Sequence, residues 1–249
     1  MIETHQHDNI VEIRLARPPV NALDPAMIEA LRESLSQQLA NGNRAVVLSG
    51  APGLFSAGLD IPALMRLDRD QLRQFWVSLF GLLEDLAEYP VPVAAAITGH
   101  SPAGGTVLAL FCDYRVMARG EFQVGLNEVQ VGLVVPSVIH QALARLIGRY
   151  PAERHLVAGQ LIHPEAACHV GLVDELAEPD DTVQRAIDWC RNHLQLPALA
   201  MNETRRMVRS DLGALFADPD NLDVDAFCDH WFRDETQQAL QQMVARLSK

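Results

Sequence analysis

Two short segments of this 249-residue sequence combine residue types that could move a proton. The first is the glycine-rich turn at residues 101–105, which runs into an apolar stretch and can present a bare backbone N–H group at the mouth of a helix. The second, residues 125–128, follows about two dozen residues later and places one carboxylate, Glu128, among apolar neighbours. A carbonyl polarised by backbone donors beside a single glutamate is the minimum equipment for moving a proton on the adjacent carbon.

A second turn of small residues lies at positions 55–61 and contains Ser56, Ala57 and Gly58. Each of the two turns follows a run of apolar residues that is typical of a buried strand. Two such turns could place two N–H donors on one carbonyl oxygen, which is the usual composition of an oxyanion hole. Taken alone, either turn is also explained as a tight connection between a strand and a helix.

Glu128 is one of 32 acidic residues, and most of these are expected to be solvated surface charges. Its neighbours are different, because Val124, Leu126, Val129 and Val131 surround it in the sequence. A carboxylate in apolar surroundings is desolvated, and desolvation raises its pKa towards the range of a useful general base. The sequence therefore indicates Glu128 as the candidate base.

Other catalytic patterns do not fit the sequence. The glycines match neither a dinucleotide-binding fingerprint nor a phosphate-binding loop, and Ser101 lacks the nucleophile-elbow pattern of a hydrolase. The four cysteines lie far apart, so reduced thiols are expected rather than disulfides or a zinc site, and no metal is predicted. Asp113 and Arg115 are predicted to form a buried structural pair.

The hydrophobic pattern predicts an α/β protein. Strands are expected at 9–15 (half-buried), 45–50, 91–97, 114–118 and 122–124; helices at 26–39, 70–86, 138–147, 152–158 and 164–170, with a short helix ending near residue 111. The order strand, strand, helix recurs about three times. From about residue 197 strand signals disappear, and helices are expected at 198–215 and 224–247. The apolar residues of this C-terminal part are expected to pack on the chain's own core or on a neighbouring subunit: Trp231, Phe232, Leu240, Met243 and Leu247.

Composition narrows the classes of partner and location. Hydrophobic residues make up 49% of the chain, which is enough for a substantial core, and the net charge of −12 argues against nucleic acid or an anionic membrane. No apolar run approaches the ~20 residues that a membrane-spanning helix needs. The first residues have no secretory-signal pattern, so a cytoplasmic, bacterial setting is the expectation.

With these motifs, the chain resembles the crotonase (enoyl-CoA hydratase/isomerase) superfamily over nearly its whole length. Residues 17–23 resemble the family's R-P-x-x-N-A-L segment, and residues 55–61 resemble its F-x-A-G-x-D-[IL] turn. The resemblance implies that Leu59 gives the first oxyanion N–H and that Gly104, in the second turn, gives the other. It further implies substrate-binding positions in and beside these motifs: Ala22, Ser56, Ala57, Gly58, Asp60, Ile61, Gly105 and Asn127.

The resemblance also distinguishes between two activities of the family, hydration and isomerisation. Hydratases of this family have two catalytic glutamates; the position of one is Val107 in this chain, and the other is Glu128. Because one acid is lost, the sequence looks most similar to the Δ3,Δ2-enoyl-CoA isomerase branch, in which a single glutamate carries the proton during fatty acid β-oxidation. The alternatives are a hydratase or other crotonase-fold acyl-CoA enzyme, and a catalytically inactive CoA-ester-binding or scaffold protein.

The resemblance carries further expectations about architecture and partners. The fold is expected to be a ClpP/crotonase-like spiral of repeated ββα units at 1–195, followed by a C-terminal helical region at 196–249 for core packing and trimerisation. An acyl-CoA or enoyl-CoA thioester is the expected partner, without any separate cofactor. A homotrimer or a hexamer built as a dimer of trimers is the expected assembly.

Overall fold

The computed structural model describes residues 1–247, without the side chains of residues 219, 220 and 247. The predicted C-terminal region at 196–249 therefore extends two residues beyond the described part, and the predicted packing of Leu247 lies outside it. Within the described residues, no helix is both long and apolar enough to cross a membrane.

Strands are confined to residues 2–177. They are β1 (Ile2–His7), β2 (Ile10–Leu15), β3 (Ala45–Ser49), β4 (Gly53–Leu54), β5 (Val93–Ile97), β6 (Gly99–Pro102), β7 (Tyr114–Ala118), β8 (Val124–Gly125), β9 (Leu161–Ile162) and β10 (Glu175–Ala177).

Helices surround these strands and make up the C-terminal part. They are α1 (Pro25–Ala40), α2 (Ile61–Leu64), α3 (Arg69–Ala87), α4 (Gly104–Leu110), α5 (Ser137–Ile147), α6 (Arg149–Ala158), α7 (Pro164–Val170), α8 (Thr182–His193), α9 (Ala198–Val208), α10 (Ser210–Ala217), α11 (Val224–Trp231) and α12 (Asp234–Leu247). Short 3-10 turns occupy Glu128–Val131, Pro179–Asp181 and Pro219–Leu222.

The strands form two sheets that the chain visits in turn. The larger sheet has the order β1-β2-β3-β5-β7-β10, and the smaller has the order β4-β6-β8-β9. Three times in succession a strand of the larger sheet is followed by a strand of the smaller sheet and then by helix: β3-β4, β5-β6 and β7-β8. Neighbours β2, β3, β5, β7 and β10 pair in parallel, so each return passes through a crossover connection. This is the predicted spiral of ββα units, and the α/β crotonase fold class is confirmed.

Local sequence explains where the first long helices begin. Asp24 caps α1 by accepting a hydrogen bond from the backbone N–H of Met27, with Pro25 at the first helical position. Asp68 and Gln71 form a reciprocal capping box at the start of α3. The buried faces of both helices pack on the sheets, and α3 contributes Phe75, Trp76, Leu79, Phe80, Leu82, Leu83 and Leu86 to the core.

Several predicted boundaries and burial patterns differ from the structure. The strand predicted as half-buried at 9–15 is β2, and even its Glu12 is only 3% exposed, because Ser49 donates a hydrogen bond to that carboxylate and Arg14 pairs with it. The helices predicted at 198–215 and 224–247 are each divided in two, at Arg209 and near Phe232. The edge strand β1 was not predicted because its central residues are polar and exposed.

The predicted pairing of Asp113 with Arg115 is wrong. Asp113 binds two arginines of the C-terminal part instead, with Arg205 Nη2 at 2.7 Å and Arg209 Nη1 at 3.2 Å from its carboxylate. Arg115 pairs with Asp174, at 2.6 Å. Asp113 immediately precedes β7 and Arg115 lies within it, and each group is already matched by a group of opposite charge from another element. Both groups are buried, as predicted, but they tie the strand to different elements.

The C-terminal helices pack on the core to different extents. Trp231 and Leu240 are buried in the main hydrophobic cluster, and Met243 is partly buried against it, whereas Phe232 is 41% exposed. Helix α9 has no buried residue along its length. The C-terminal part therefore packs its apolar residues on the core through α10, α11 and α12, whereas α9 is joined to the core by the ion pair of Arg205 with Asp113 and keeps an open apolar face.

Candidate active site

The first turn, residues 55–61, is held in place by hydrogen bonds to the neighbouring segment at 21–23. Ser56 Oγ donates to the carbonyl of Asn21 at 2.8 Å and accepts from the N–H of Gly58 at 3.1 Å. The N–H of Leu23 donates to the carbonyl of Gly58, and the N–H of Asp60 donates to the carbonyl of Leu23. The N–H of Leu59 lies between these two bonds and has no acceptor among the described residues.

The second turn joins β6 to α4 through Ala103. This residue has a φ of 47° and a ψ of −118°, a conformation that L residues rarely adopt. Its N–H donates to the carbonyl of Gly125 at 2.8 Å, which anchors the turn to β8. Gly104 is then the first residue of α4, and its N–H has no acceptor among residues 1–247, as the geometry of a helix start requires.

The two turns are in direct contact at their glycines. A Cβ atom at Gly58 would lie 3.1 Å from Gly104 N, and a Cβ atom at Gly104 would lie 3.2 Å from Gly58 Cα. Gly58 also has a φ of +89°, so both space and backbone conformation favour glycine there. This close approach brings the free N–H groups of Leu59 and Gly104 side by side.

Glu128 opens the 3-10 turn Glu128–Val131 that follows β8. Its Oε2 atom is buried without a hydrogen-bond partner. Because burial disfavours the charged form, the pKa of Glu128 is raised to about 7, and a hydrogen bond from its own backbone only partly opposes this shift. An acid with this pKa can both accept and return a proton near neutral pH.

The donors and the acid share one narrow cavity with a volume of about 30 Å³. Leu59, Gly104, Val107 and Glu128 are among the residues that line it. Helix α3 supplies Trp76 and Leu79, helix α11 supplies Phe227 and His230, and the segment after Glu128 supplies Leu133, Val134, Pro136 and Ile139. Among the described residues that line the cavity, Glu128 is the single carboxylate.

The remaining predicted positions surround the cavity rather than line it. Ser56 and Gly58 shape the first turn, and Asp60 caps α2 while it accepts from Arg17 at 2.8 Å. A Cβ atom at Gly105 would lie 2.8 Å from the carbonyl of Ser56, so that glycine lets α4 approach the first turn. All eight predicted substrate-binding positions lie outside the lining of this cavity: Ala22, Ser56, Ala57, Gly58, Asp60, Ile61, Gly105 and Asn127.

Trp76, Phe227 and His230 line the cavity and were not predicted from the sequence. Phe227 and His230 are three residues apart on α11, a spacing that puts both on one helical face. That spacing is visible in the sequence, but it does not tell which part of the core the face meets. No three His, Cys, Asp or Glu side chains cluster into a possible metal site within the described part of the chain.

A spiral of ββα units whose adjoining turns present two free N–H groups defines a crotonase-type protein. The sequence profile of the enoyl-CoA hydratase/isomerase family matches residues 5–247, and the chain belongs to that enzyme family.

Individual relatives include both activities of the family. The chain is 32% identical to mouse mitochondrial enoyl-CoA delta isomerase 1, over all of this chain and 87% of the relative. It is 36% identical to a putative enoyl-CoA hydratase of Thermus thermophilus, over 67% of this chain and 66% of the relative. The crystal structure of human mitochondrial Δ3-Δ2-enoyl-CoA isomerase superposes with a TM-score of 0.94 at 30% identity, covering 99% of this chain and 98% of that one.

Proposed function

We propose that this protein is a Δ3,Δ2-enoyl-CoA isomerase of fatty acid oxidation, which converts a 3-enoyl-CoA into the 2-trans-enoyl-CoA. The observation that carries the proposal is the cavity lining, which contains one carboxylate with a buried oxygen, Glu128, together with the two residues whose backbone N–H groups are free, Leu59 and Gly104. The likeness to mitochondrial isomerases over the whole chain supports the same activity. The thioester is the substrate, and the reaction as proposed needs no separate cofactor.

The proposed reaction moves one proton and one double bond. Ionised Glu128 takes a proton from C2 of the 3-enoyl thioester, and the electron pair of that C–H bond enters the conjugated dienolate. The negative charge on the thioester oxygen is stabilised by the N–H groups of Leu59 and Gly104. Glu128 then returns the proton to C4, the double bond forms between C2 and C3, and the carboxylate is regenerated.

Val107 supports isomerisation over hydration. Hydration of a 2-enoyl thioester adds water, and in this family two carboxylates hold and split that water. Val107 lines the cavity where the resemblance expects the other acid, and its side chain can neither bind nor ionise water. A single base that returns the proton it has removed is sufficient for isomerisation.

Isotope transfer gives the sharpest test of this proposal. A 3-hexenoyl-CoA labelled with deuterium at C2 should give 2-hexenoyl-CoA that retains part of the label at C4, because one carboxyl carries it. Product position and label are read by chromatography with mass spectrometry. The proposal is wrong if the enzyme hydrates crotonyl-CoA faster than it isomerises 3-hexenoyl-CoA.

Hydration is the second candidate, and one observation favours it. His230 lines the same cavity as Glu128, so a second titratable side chain is present although the second glutamate is not. A hydratase that uses this imidazole should lose crotonyl-CoA hydration in His230→Phe. The isomerase proposal instead predicts that 3-hexenoyl-CoA isomerisation persists in that variant.

We also propose that the protein assembles as a homotrimer or as a dimer of trimers. Helix α9 has no buried residue. Apolar side chains on this helix are exposed to solvent, with Leu199 at 78% and Met207 at 65%. Exposed apolar surface of this kind is typical of an interaction face. Light scattering at micromolar concentration tests the proposal, and a monodisperse monomer would contradict it.

A further inference from the structure

The wall of the cavity formed by α3 and α11 contains two nitrogen-bearing rings that have no partner. Trp76 is 6% exposed, and its Nε1 atom is buried without any hydrogen bond. His230 lines the same cavity, and its imidazole makes no hydrogen bond or ion pair with the described residues. Buried indole N–H groups usually have a partner, so an unpaired one beside a ligand cavity calls for an explanation.

Packing keeps this wall in place. The Trp76 ring lies 5.7 Å from the Phe227 ring and 6.1 Å from the Phe80 ring, measured between ring centroids. Phe227 and His230 share one face of α11, so the contact between Trp76 and Phe227 also holds His230 at the wall. The Trp76 side chain therefore has little freedom to turn its N–H group towards a distant acceptor.

An unsubstituted hydrocarbon chain suits this wall poorly. In the free protein, a cavity of about 30 Å³ has room for a water molecule beside the two rings. A hydrocarbon chain would displace that water without replacing its hydrogen bonds, which lowers affinity. A ligand oxygen at the same place would restore the bonds, and sites built to bind such an oxygen discriminate strongly against analogues that lack it.

The charge in the cavity restricts the kind of oxygen. Glu128 is the carboxylate of the lining, and no Lys or Arg is among the cavity-lining residues that the structure describes. A second negative charge on the ligand would therefore repel ionised Glu128 without a cation to offset it. A neutral hydroxyl or carbonyl group satisfies the donors without this penalty.

We propose that the substrate is a short acyl-CoA thioester whose acyl chain has a neutral oxygen substituent beyond C4, held by Trp76 Nε1 and His230. This inference rests on the CoA-thioester binding of the proposed function and adds the substrate class. The chain is short because packed aromatic rings, Trp76 and Phe227, bound the cavity. The oxygen lies beyond C4 because C2 to C4 are occupied by the proton transfer at Glu128.

Binding of saturated thioesters tests the inference without any turnover. Hexanoyl-CoA is compared by titration calorimetry with hexanoyl-CoA hydroxylated on the fifth or on the sixth carbon. Neither ester has a double bond to isomerise or hydrate, so the result does not depend on which reaction is catalysed. We expect the better hydroxylated ester to bind wild-type protein at least about 10-fold more tightly than hexanoyl-CoA, the size of a well-placed hydrogen bond in a dry site.

Two variants test the contribution of the ring nitrogens separately from the contribution of side-chain size. Trp76→Phe removes the indole N–H but keeps an aromatic ring, and His230→Phe removes both ring nitrogens. At least one of them should reduce the 10-fold advantage to about 2-fold or less, with hexanoyl-CoA binding unchanged or stronger. The matched controls are Trp189→Phe, whose ring stacks on Tyr114 away from the cavity, and exposed His169→Phe; both should keep the advantage.

Two results would overturn the inference alone: equal or tighter binding of hexanoyl-CoA by wild-type protein, or an advantage of the hydroxylated ester that survives both variants. Failure of every ester to bind would instead overturn the proposed function, and this inference with it.

Discussion

Two carboxylates of this protein are removed from water but have opposite surroundings. Asp113 is met by Arg205, by Arg209 and by the backbone N–H of Val93, which donates at 2.7 Å. Among the described residues, no Lys or Arg lines the cavity that contains Glu128, and the Oε2 atom of Glu128 has no hydrogen-bond partner. The first arrangement pairs the carboxylate with two guanidinium groups, whereas in the second the pKa of Glu128 is raised to about 7 because a hydrogen bond from its own backbone only partly offsets its desolvation.

The difference shows what distinguishes a buried acid with a structural role from a buried acid that can react. The partners of Asp113 come from the C-terminal part, so its charge joins that part to the spiral core. Glu128 instead keeps its lone pairs free for a proton that arrives with the substrate. Partners, rather than depth, therefore indicate which buried acid does chemistry.

Substitution at Glu128 should give the largest effect. Glu128→Gln keeps the size of the side chain but removes the base, so isomerase turnover should fall by about 10²–10⁴-fold. The variant should fold normally and still bind an enoyl-CoA ester, which calorimetry checks. Turnover within a few-fold of wild type would show that the unpaired acid is not the base.

Substitution at Asp113 should affect folding rather than chemistry. Asp113→Ala leaves two buried arginines without their acid and should cost about 3–5 kcal/mol of unfolding free energy. Urea denaturation measures this cost, and turnover per folded molecule should stay within a few-fold of wild type. Asp229→Ala is the matched control, because its ion pair with Arg69 is exposed to solvent and should contribute little to stability. Equal losses of unfolding free energy in the two variants would show that the ion pairs of Asp113 contribute no more to stability than an exposed pair.

Substitution at Gly104 tests how the negative charge that forms on the substrate is stabilised after Glu128 removes the proton. That transient charge is met by backbone N–H groups, as the charge of Asp113 is met by arginines. Gly104→Pro removes one donor and should reduce turnover by about 10²–10³-fold.

Gly104→Ala is the control for this substitution, because it keeps the N–H. Its Cβ atom would lie 3.0 Å from a flexible atom of Leu23 and 3.2 Å from Gly58 Cα. Some loss is expected from this crowding, but less than in the proline variant. An equal loss of turnover in both variants would mean that steric crowding, and not the loss of the N–H donor, causes the effect.

Much of the reactive side of the site can be predicted from sequence because it is local. Gly58, Gly104 and Glu128 belong to short motifs whose chemistry depends on neighbours within a few residues. The repeated strand, strand, helix order likewise follows from hydrophobic runs separated by turns. The structure places the turns in contact and confirms the fold class.

The opposite wall could not be predicted, for a physical reason. Phe227 and His230 lie about a hundred residues from Glu128, and only tertiary packing of α11 on α3 brings them to the cavity. The partners of Asp113 have the same origin, since Arg205 and Arg209 are equally remote in the sequence. Local patterns show that such residues will be buried or paired, but not with which group.

The pH dependence of turnover should show that Glu128 has a raised pKa, as expected for a buried acid without a partner. Because the base must be ionised, kcat/KM should fall about tenfold per pH unit below an apparent pKa of about 7. Steady-state rates with 3-hexenoyl-CoA between about pH 5 and pH 9 measure this profile. A profile that stays flat down to about pH 5 would mean that Glu128 has an ordinary carboxyl pKa, as a paired or hydrated acid would.

Stability should depend on pH with the sign set by the same group. The pKa of Glu128 is raised in the folded protein above its ordinary value, so the neutral form stabilises the fold. That contribution is complete below about pH 4.5 and is lost as the pH rises through about 7. A pKa change of one is worth about 1.4 kcal/mol, so Glu128→Gln should gain up to about 3 kcal/mol over wild type between about pH 5 and pH 8.5. Urea denaturation of both proteins at the two pH values measures this gain, with Asp229→Asn as the exposed control. If wild type and Glu128→Gln change in parallel, ionising Glu128 costs the fold nothing, and the carboxylate must have a partner.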